Sequence, residues 1–133
     1  MIGVGVIGAG AAALTAHLPA LHASDRFRLS GICDTSGPRL DEALKRFPAA
    51  GFVSPEVLLA QQELDAVVIA TPPQTHAGLA ANAIRRGKHV LCEKPLAPTV
   101  EECRHLVSAA DEAGVVFGVA HEKRFHPDRK SVV

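Results

Sequence analysis

Six short runs along the chain have the character of buried strands: Ile2-Gly3-Val4-Gly5-Val6-Ile7, Phe27 to Cys33, Phe52-Val53, Asp65 to Ala70, His89 to Cys92 and Val115 to Ala120. The fourth, Asp65-Ala66-Val67-Val68-Ile69-Ala70, is almost continuously apolar, the pattern of a central strand covered on both faces. Between the runs lie stretches with a single apolar stripe. An alanine-rich helix follows residue 10 and carries His17 and His22. Pro38 to Phe47 reads as a short helix stopped by Pro48, and Ser54-Pro55-Glu56 opens another with a cap, a proline at the first helical position and an early acid. Thr75 to Arg86 places Leu79, Ala80, Ala83 and Ile84 on one face and ends on two arginines and Gly87. Thr99-Val100-Glu101-Glu102 has the form of a capping box; Cys103, Leu106, Val107 and Ala110 form the expected buried stripe, and Gly114 terminates the helix. Strands joined by helical crossovers turn right-handed, which predicts an α/β fold: a doubly wound parallel sheet of about six strands with helices on both faces.

The 133 residues suit one domain of modal size with an ordinary apolar content of 47%. Lysine plus arginine equal aspartate plus glutamate at 14 each, and tryptophan and tyrosine are absent, so neither charge nor aromatic surface points to nucleic acid or an anionic membrane as partner. Cys33, Cys92 and Cys103 are odd in number and lack metal-ligand spacing. They read as reduced thiols, which with the lack of a signal-type start or a bilayer-length apolar run places the chain in the cytoplasm.

The first strand runs directly into Gly8-Ala9-Gly10-Ala11-Ala12-Ala13, a G-x-G-x-x-A turn opening a helix. Gly8 permits the tight exit from the strand, Gly10 leaves room for a pyrophosphate against the backbone, and Ala13 lets helix and strand pack closely. The amides of Ala11 and Ala12 at the helix start then face the phosphates. Asp34 ends the second strand roughly 20 residues further on, the spacing of a ribose-binding acid. A carboxylate there favours NAD over NADP through like-charge repulsion. Arg39 and the hydroxyls of Thr35 and Ser36 are near enough in sequence to accept a phosphate, so NADP stays open. Asp34 as a plain turn cap is the alternative.

Two loops leave the carboxyl edge where a doubly wound sheet binds its ligand. Thr71-Pro72-Pro73-Gln74-Thr75-His76 has consecutive prolines that fix the backbone as a wall for a flat ring. Glu93-Lys94-Pro95 sends a charged pair from the same edge, with Lys94 able to donate to a substrate oxygen. Among the histidines, His76 and His121 fall near strand ends, where proton transfer is conceivable; His17, His22, His89 and His105 suit structural roles.

GAGAAA, Asp34, Ala70-Thr71-Pro72-Pro73 with His76, and above all Glu93-Lys94-Pro95 together resemble the N-terminal Rossmann domain of the Gfo/Idh/MocA oxidoreductases, the glucose-fructose oxidoreductase and inositol dehydrogenase group. The resemblance covers nearly the whole chain. It implies a dinucleotide-binding domain over residues 1–121, with 122–133 beginning the connection to a C-terminal domain that the sequence lacks. It implies cofactor contacts from Gly8, Gly10, Ala11, Ala12, Ala13, Asp34, Thr71, Pro72, Pro73, His76 and Glu93, the last at the nicotinamide ribose, with Lys94 as the catalytic residue at the substrate hydroxyl. The activity implied is NAD(P)-dependent oxidation or reduction at a CH–OH carbon of a sugar, polyol or related metabolite. Turnover would need the second domain, which in such proteins supplies substrate pocket, base and oligomer contacts. The competing expectation is a non-catalytic NAD(H)-binding module that docks with another chain. A methyltransferase sheet would share the turn and the acid but leaves Glu93-Lys94-Pro95 unexplained.

Overall fold

The computed structural model describes residues 1–120. His121 and the connection expected over 122–133 lie outside the described residues. Strands β1 (Ile2–Ile7), β2 (Phe27–Cys33), β3 (Ala50–Phe52), β4 (Ala66–Ile69), β5 (His89–Glu93) and β6 (Phe117–Ala120) form one sheet in the order β3-β2-β1-β4-β5-β6, with all pairs parallel. The order reverses between β1 and β4, so the loops leaving those two strands diverge and open a crevice at the carboxyl edge.

Two apolar layers cover the faces. Val4, Val6, Ile32 and Val68 pack under Ala13, Leu18, Leu40 and Ala43 on one side, while Ile7, Val67, Ile69, Val90 and Cys92 pack with Leu58, Ala80, Ala83, Ile84, Leu106 and Ala110 on the other. Alternation along β1 and β4 sends neighbouring side chains to opposite layers, which is why those strands are apolar throughout.

The helices are α1 (Leu18–Ala23), α2 (Gly37–Arg46), α3 (Pro55–Leu59), α4 (His76–Arg85) and α5 (Val100–Ala113). A π turn, Ala13–His17, precedes α1, closed by Leu18 N–H donating to Ala13 O. Ala13 and Leu18, five residues apart, are both fully buried, a spacing that a regular helix would not hold on one line.

Several boundaries differ from the sequence reading for local reasons. Val115 is not yet strand: its N–H donates to Ala110 O (3.1 Å) behind Gly114 at φ 70°, so the end of α5 consumes it. On α5, Leu106 and Ala110 are buried but Cys103 is only half-buried and Val107 is 49% exposed; Val107 lies one residue off the Leu106–Ala110 line. Thr99 Oγ1 accepts from Glu102 N–H (3.1 Å) as a cap should. Ser54 does not cap α3 by its side chain; its hydroxyl donates to Glu56 Oε2 (3.0 Å) instead. Thr75 closes a 3₁₀ turn, Pro73–Thr75, before α4 begins at His76.

Candidate active site

A cleft of about 560 Å³ opens at the switch point, lined by Ile7, Gly8, Gly10, Asp34, Thr71 and Pro72 among others. Its floor is the β1 exit. Gly8 has φ 104°, and a Cβ there would stand 2.4 Å from Ala70 O, so the glycine is demanded by the junction of β1 with β4. Gly10 differs: a Cβ built on it meets nothing within 4 Å. The fold itself has no use for a missing side chain at this position, whereas a ligand seated over the turn does. Leu14 N–H donates to Gly10 O (3.0 Å), leaving the amides of Ala11, Ala12 and Ala13 without helical partners. Ala11 and Ala12 are exposed; Ala13 is fully buried as the packing residue beneath them.

Asp34 is 8% exposed and already held in place. Its Oδ2 accepts from Ala9 N–H (2.9 Å) and its Oδ1 from Ser36 N–H (2.7 Å), so the carboxylate joins the end of β2 to the glycine turn. Arg39, largely exposed, brings Nε to 3.4 Å from Oδ2 at the rim. The carboxylate expected to take the ribose and an exposed guanidinium therefore sit side by side. The thiol of Cys33, behind Asp34, is pushed up to about 11 by burial and by the neighbouring carboxylate; burial likewise pushes Cys92, ahead of Glu93, up to about 12.

The proline loop forms the opposite wall. Thr75 Oγ1 donates to Pro72 O (2.7 Å) and lies 2.6 Å from Thr71 Oγ1, which fastens the loop to itself. Thr71, Pro72 and Thr75 face the cleft, while Pro73 is exposed outside its lining. His76, expected as a cofactor contact, is placed behind the cleft wall as a tie between two loops. It is 1% exposed, with Nδ1 2.7 Å from Pro95 O and Nε2 2.8 Å from Thr71 O, so both ring nitrogens are engaged by backbone carbonyls. Only the doubly protonated ring donates to both at once; the neutral ring donates to one.

Glu93 ends β5, and Lys94 beyond it is exposed. Neither lines the cleft itself; they flank it. Glu93 Oε1 pairs with His17 Nε2 at 2.5 Å, with the two side chains 18% and 14% exposed. Sequence reasoning missed this partner because the π turn that brings His17 across leaves no signature in an alanine-rich segment. Pro55, which opens α3, and Leu79, in the first turn of α4, were also missed as cleft walls.

The strand order, the glycine turn at the switch point and the acid ending β2 define a dinucleotide-binding Rossmann domain. Residues 2–121 match the model of the Gfo/Idh/MocA family, described as an oxidoreductase family with an NAD-binding Rossmann fold, and the chain belongs to that family. It is 37% identical over 126 residues to the UDP-N-acetylglucosamine 3-dehydrogenase of Acidithiobacillus ferrooxidans, covering 92% of this chain and 38% of that protein. It is 34% identical over 128 residues to the NADP(+) scyllo-inositol 2-dehydrogenase of Bacillus subtilis, covering 96% of this chain and 35% of that one. A 3-ketoreductase from Actinomadura kijaniata, solved with NADP and TDP-benzene, superposes with a TM-score of 0.91 at 32% identity over 96% of this chain and 39% of its own. The chain thus spans under two-fifths of the length of these relatives.

Proposed function

We propose that this chain is the cofactor-binding part of a cytoplasmic NAD(P)-dependent oxidoreductase acting on a CH–OH carbon of a sugar, polyol or nucleotide sugar, with NAD preferred. The observation that carries the reading is the open space above Gly10, bounded by free helical amides and by the buried carboxylate of Asp34. A pyrophosphate fits that space and a ribose hydroxyl fits that acceptor. The dinucleotide, when bound, supplies the hydride chemistry. Every other part of the task falls to the protein. The amides of Ala11 and Ala12 hold phosphate charge, Asp34 accepts from ribose hydroxyls, and Thr71 and Pro72 form a stiff wall that excludes water from one side. Lys94 donates to the substrate oxygen and stabilises charge developing there. Glu93 holds the nicotinamide end of the cofactor.

Among the described histidines, His17 and His76 are engaged, so neither serves as the base beside Lys94. The relatives' printed activities, on UDP-N-acetylglucosamine and scyllo-inositol, support the substrate class. Calorimetry with NADH, NADPH and ADP-ribose, followed by NADH absorbance with inositols and sugars, tests the reading. The chain is expected to bind NADH, to retain that binding in Lys94→Ala, and to show no steady turnover by itself. Undetectable binding of every dinucleotide would overturn the assignment, and turnover lost in Lys94→Ala would show that a complete active site lies in this chain.

A further inference from the structure

Lys94 is exposed, yet the residues on either side of it are anchored from different parts of the fold. On the amino side, Glu93 is gripped by His17, which comes from the helical segment that follows the glycine turn. On the carboxyl side, the carbonyl of Pro95 is held by His76, from the first residue of α4. The second ring nitrogen of His76 meets Thr71 O, so the same imidazole links this loop to the cleft wall. Resting on the function proposed above, we infer that His17 and His76 are positioning residues: two imidazoles clamp the Glu93-Lys94-Pro95 turn between them and fix where the Lys94 ammonium is presented.

The physical case begins with the length and freedom of a lysine side chain. Four rotatable methylenes aim an ammonium only as well as the backbone beneath them is fixed. A loop leaving a strand end is otherwise free to move, and catalytic geometry tolerates errors of only about 0.5 Å. His17 addresses this in a particular way. The π turn Ala13–His17 keeps Ala13 and Leu18 both buried against the sheet while the residue between them reaches Glu93 on β5. Such local departures from regular helix are retained where they serve a site. The contact also ties the end of β5 to the helical segment behind the glycine turn. The helix whose first amides would take the phosphates is the helix that orients Glu93, so the phosphate and nicotinamide halves share a rigid element.

The experiment uses the same chain with His17→Ala and His17→Gln, the latter keeping a donor of similar reach. Two readouts are taken. In the ligand-free protein, the backbone order parameter at Lys94, measured by ¹⁵N relaxation, is expected to fall from a rigid value near 0.85 to below about 0.7 in His17→Ala and to recover in His17→Gln. In the second, His17→Ala is expected to weaken NAD binding about tenfold through a misplaced Glu93, while ADP, which ends before the nicotinamide ribose, binds within twofold of wild type. His76→Gln is expected to act on Lys94 order in the same direction if it folds, judged by unchanged dispersion elsewhere. An unchanged Lys94 order parameter in His17→Ala overturns the clamp, as does an equal loss for NAD and ADP, which would mark general destabilisation. A wild-type chain that binds neither ligand overturns the proposed function instead, and the ligand-free relaxation data then decide the clamp alone.

Discussion

Replacing each of the two turn glycines separates what the fold needs from what a ligand needs. At Gly8 the perturbation is Ala. Its φ of 104° costs a non-glycine residue about 1–3 kcal/mol. The new Cβ also falls 2.4 Å from Ala70 O and 2.7 Å from the Ala70 carbonyl carbon, where real contacts stay above 3.0 Å. Both atoms belong to the backbone leaving β4, which is bonded back to β1 through Ala70 N–H and Ile7 O (2.8 Å), so relief requires parting two central strands. That adds about 1–3 kcal/mol, and about 3 kcal/mol in all is the working value. For a chain of this length each kcal/mol moves Tm by about 4 °C, so Gly8→Ala should melt about 12 °C below wild type. At Gly10 the perturbation is Val, whose Cβ meets nothing within 4 Å. Its stability cost should stay under about 1 kcal/mol. Binding should suffer instead. Displacing a phosphate from two helical amides forfeits two charge-assisted hydrogen bonds of about 1.5 kcal/mol each, a loss of at least about a hundredfold in NADH affinity. Differential scanning calorimetry reads the first quantity and titration calorimetry the second. A Gly10→Val variant that melts as low as Gly8→Ala, or one that folds and binds NADH unchanged, would refute the reasoning.

Two further outcomes follow from single groups. Asp34→Ser should narrow or reverse the preference for NAD over NADP, because the carboxylate leaves while Arg39 remains at the rim; it should also lose about 1–3 kcal/mol of stability by orphaning the Ala9 and Ser36 amides, and tighter NADPH than NADH binding in the wild type would sink the assignment. The native fold holds the Cys33 and Cys92 protons up to about 11 and about 12, whereas unfolded thiols release theirs near 9.0. Above pH 9 the unfolded chain thus binds fewer protons, and stability should fall as pH rises, levelling off once the native thiols ionise too. Urea midpoints compared at about pH 8 and about pH 10.5 should show that fall, and Cys33→Ala/Cys92→Ala should flatten it.

Much of the fold was legible because its signals are redundant along the chain. β1 announces itself by an apolar run ending in Gly8, and β4 by a run buried on both faces. With helical stripes between them, six parallel strands leave few alternatives. Asp34 was legible because its distance from the turn is set by one helix and one strand. What escaped depends on contacts between distant segments. Nothing in residues 13–17 says that Ala13 and Leu18 will share the buried line, so the partnership of His17 with Glu93 could not be read. His76 was placed at the right strand end, but its burial under Pro95 depends on how a loop nineteen residues later folds back. Val115 has every property of a strand residue and is lost to the helix before it, since the C-terminal turn at Gly114 claims its amide.

Asp34 shows why mutational effects at this site must be resolved into two quantities. Gly8 is demanded by the β1–β4 junction and the space at Gly10 is not, whereas the Asp34 carboxylate is held by the fold and is also the proposed ribose acceptor. It bonds the Ala9 and Ser36 amides before anything binds, so its oxygens are aimed by the junction of β1 and β2. A carboxylate offers about four acceptor sites; two are taken by these amides, and Arg39 reaches for the remainder at distances of 3.4 and 3.5 Å, too long to compete with a well-placed hydroxyl. The guanidinium is therefore the movable partner and the carboxylate the fixed one. On the function proposed above, cofactor preference would turn on whether Arg39 stays with Asp34 or swings to an added phosphate, a choice made at the exposed rim while the buried carboxylate remains as folded.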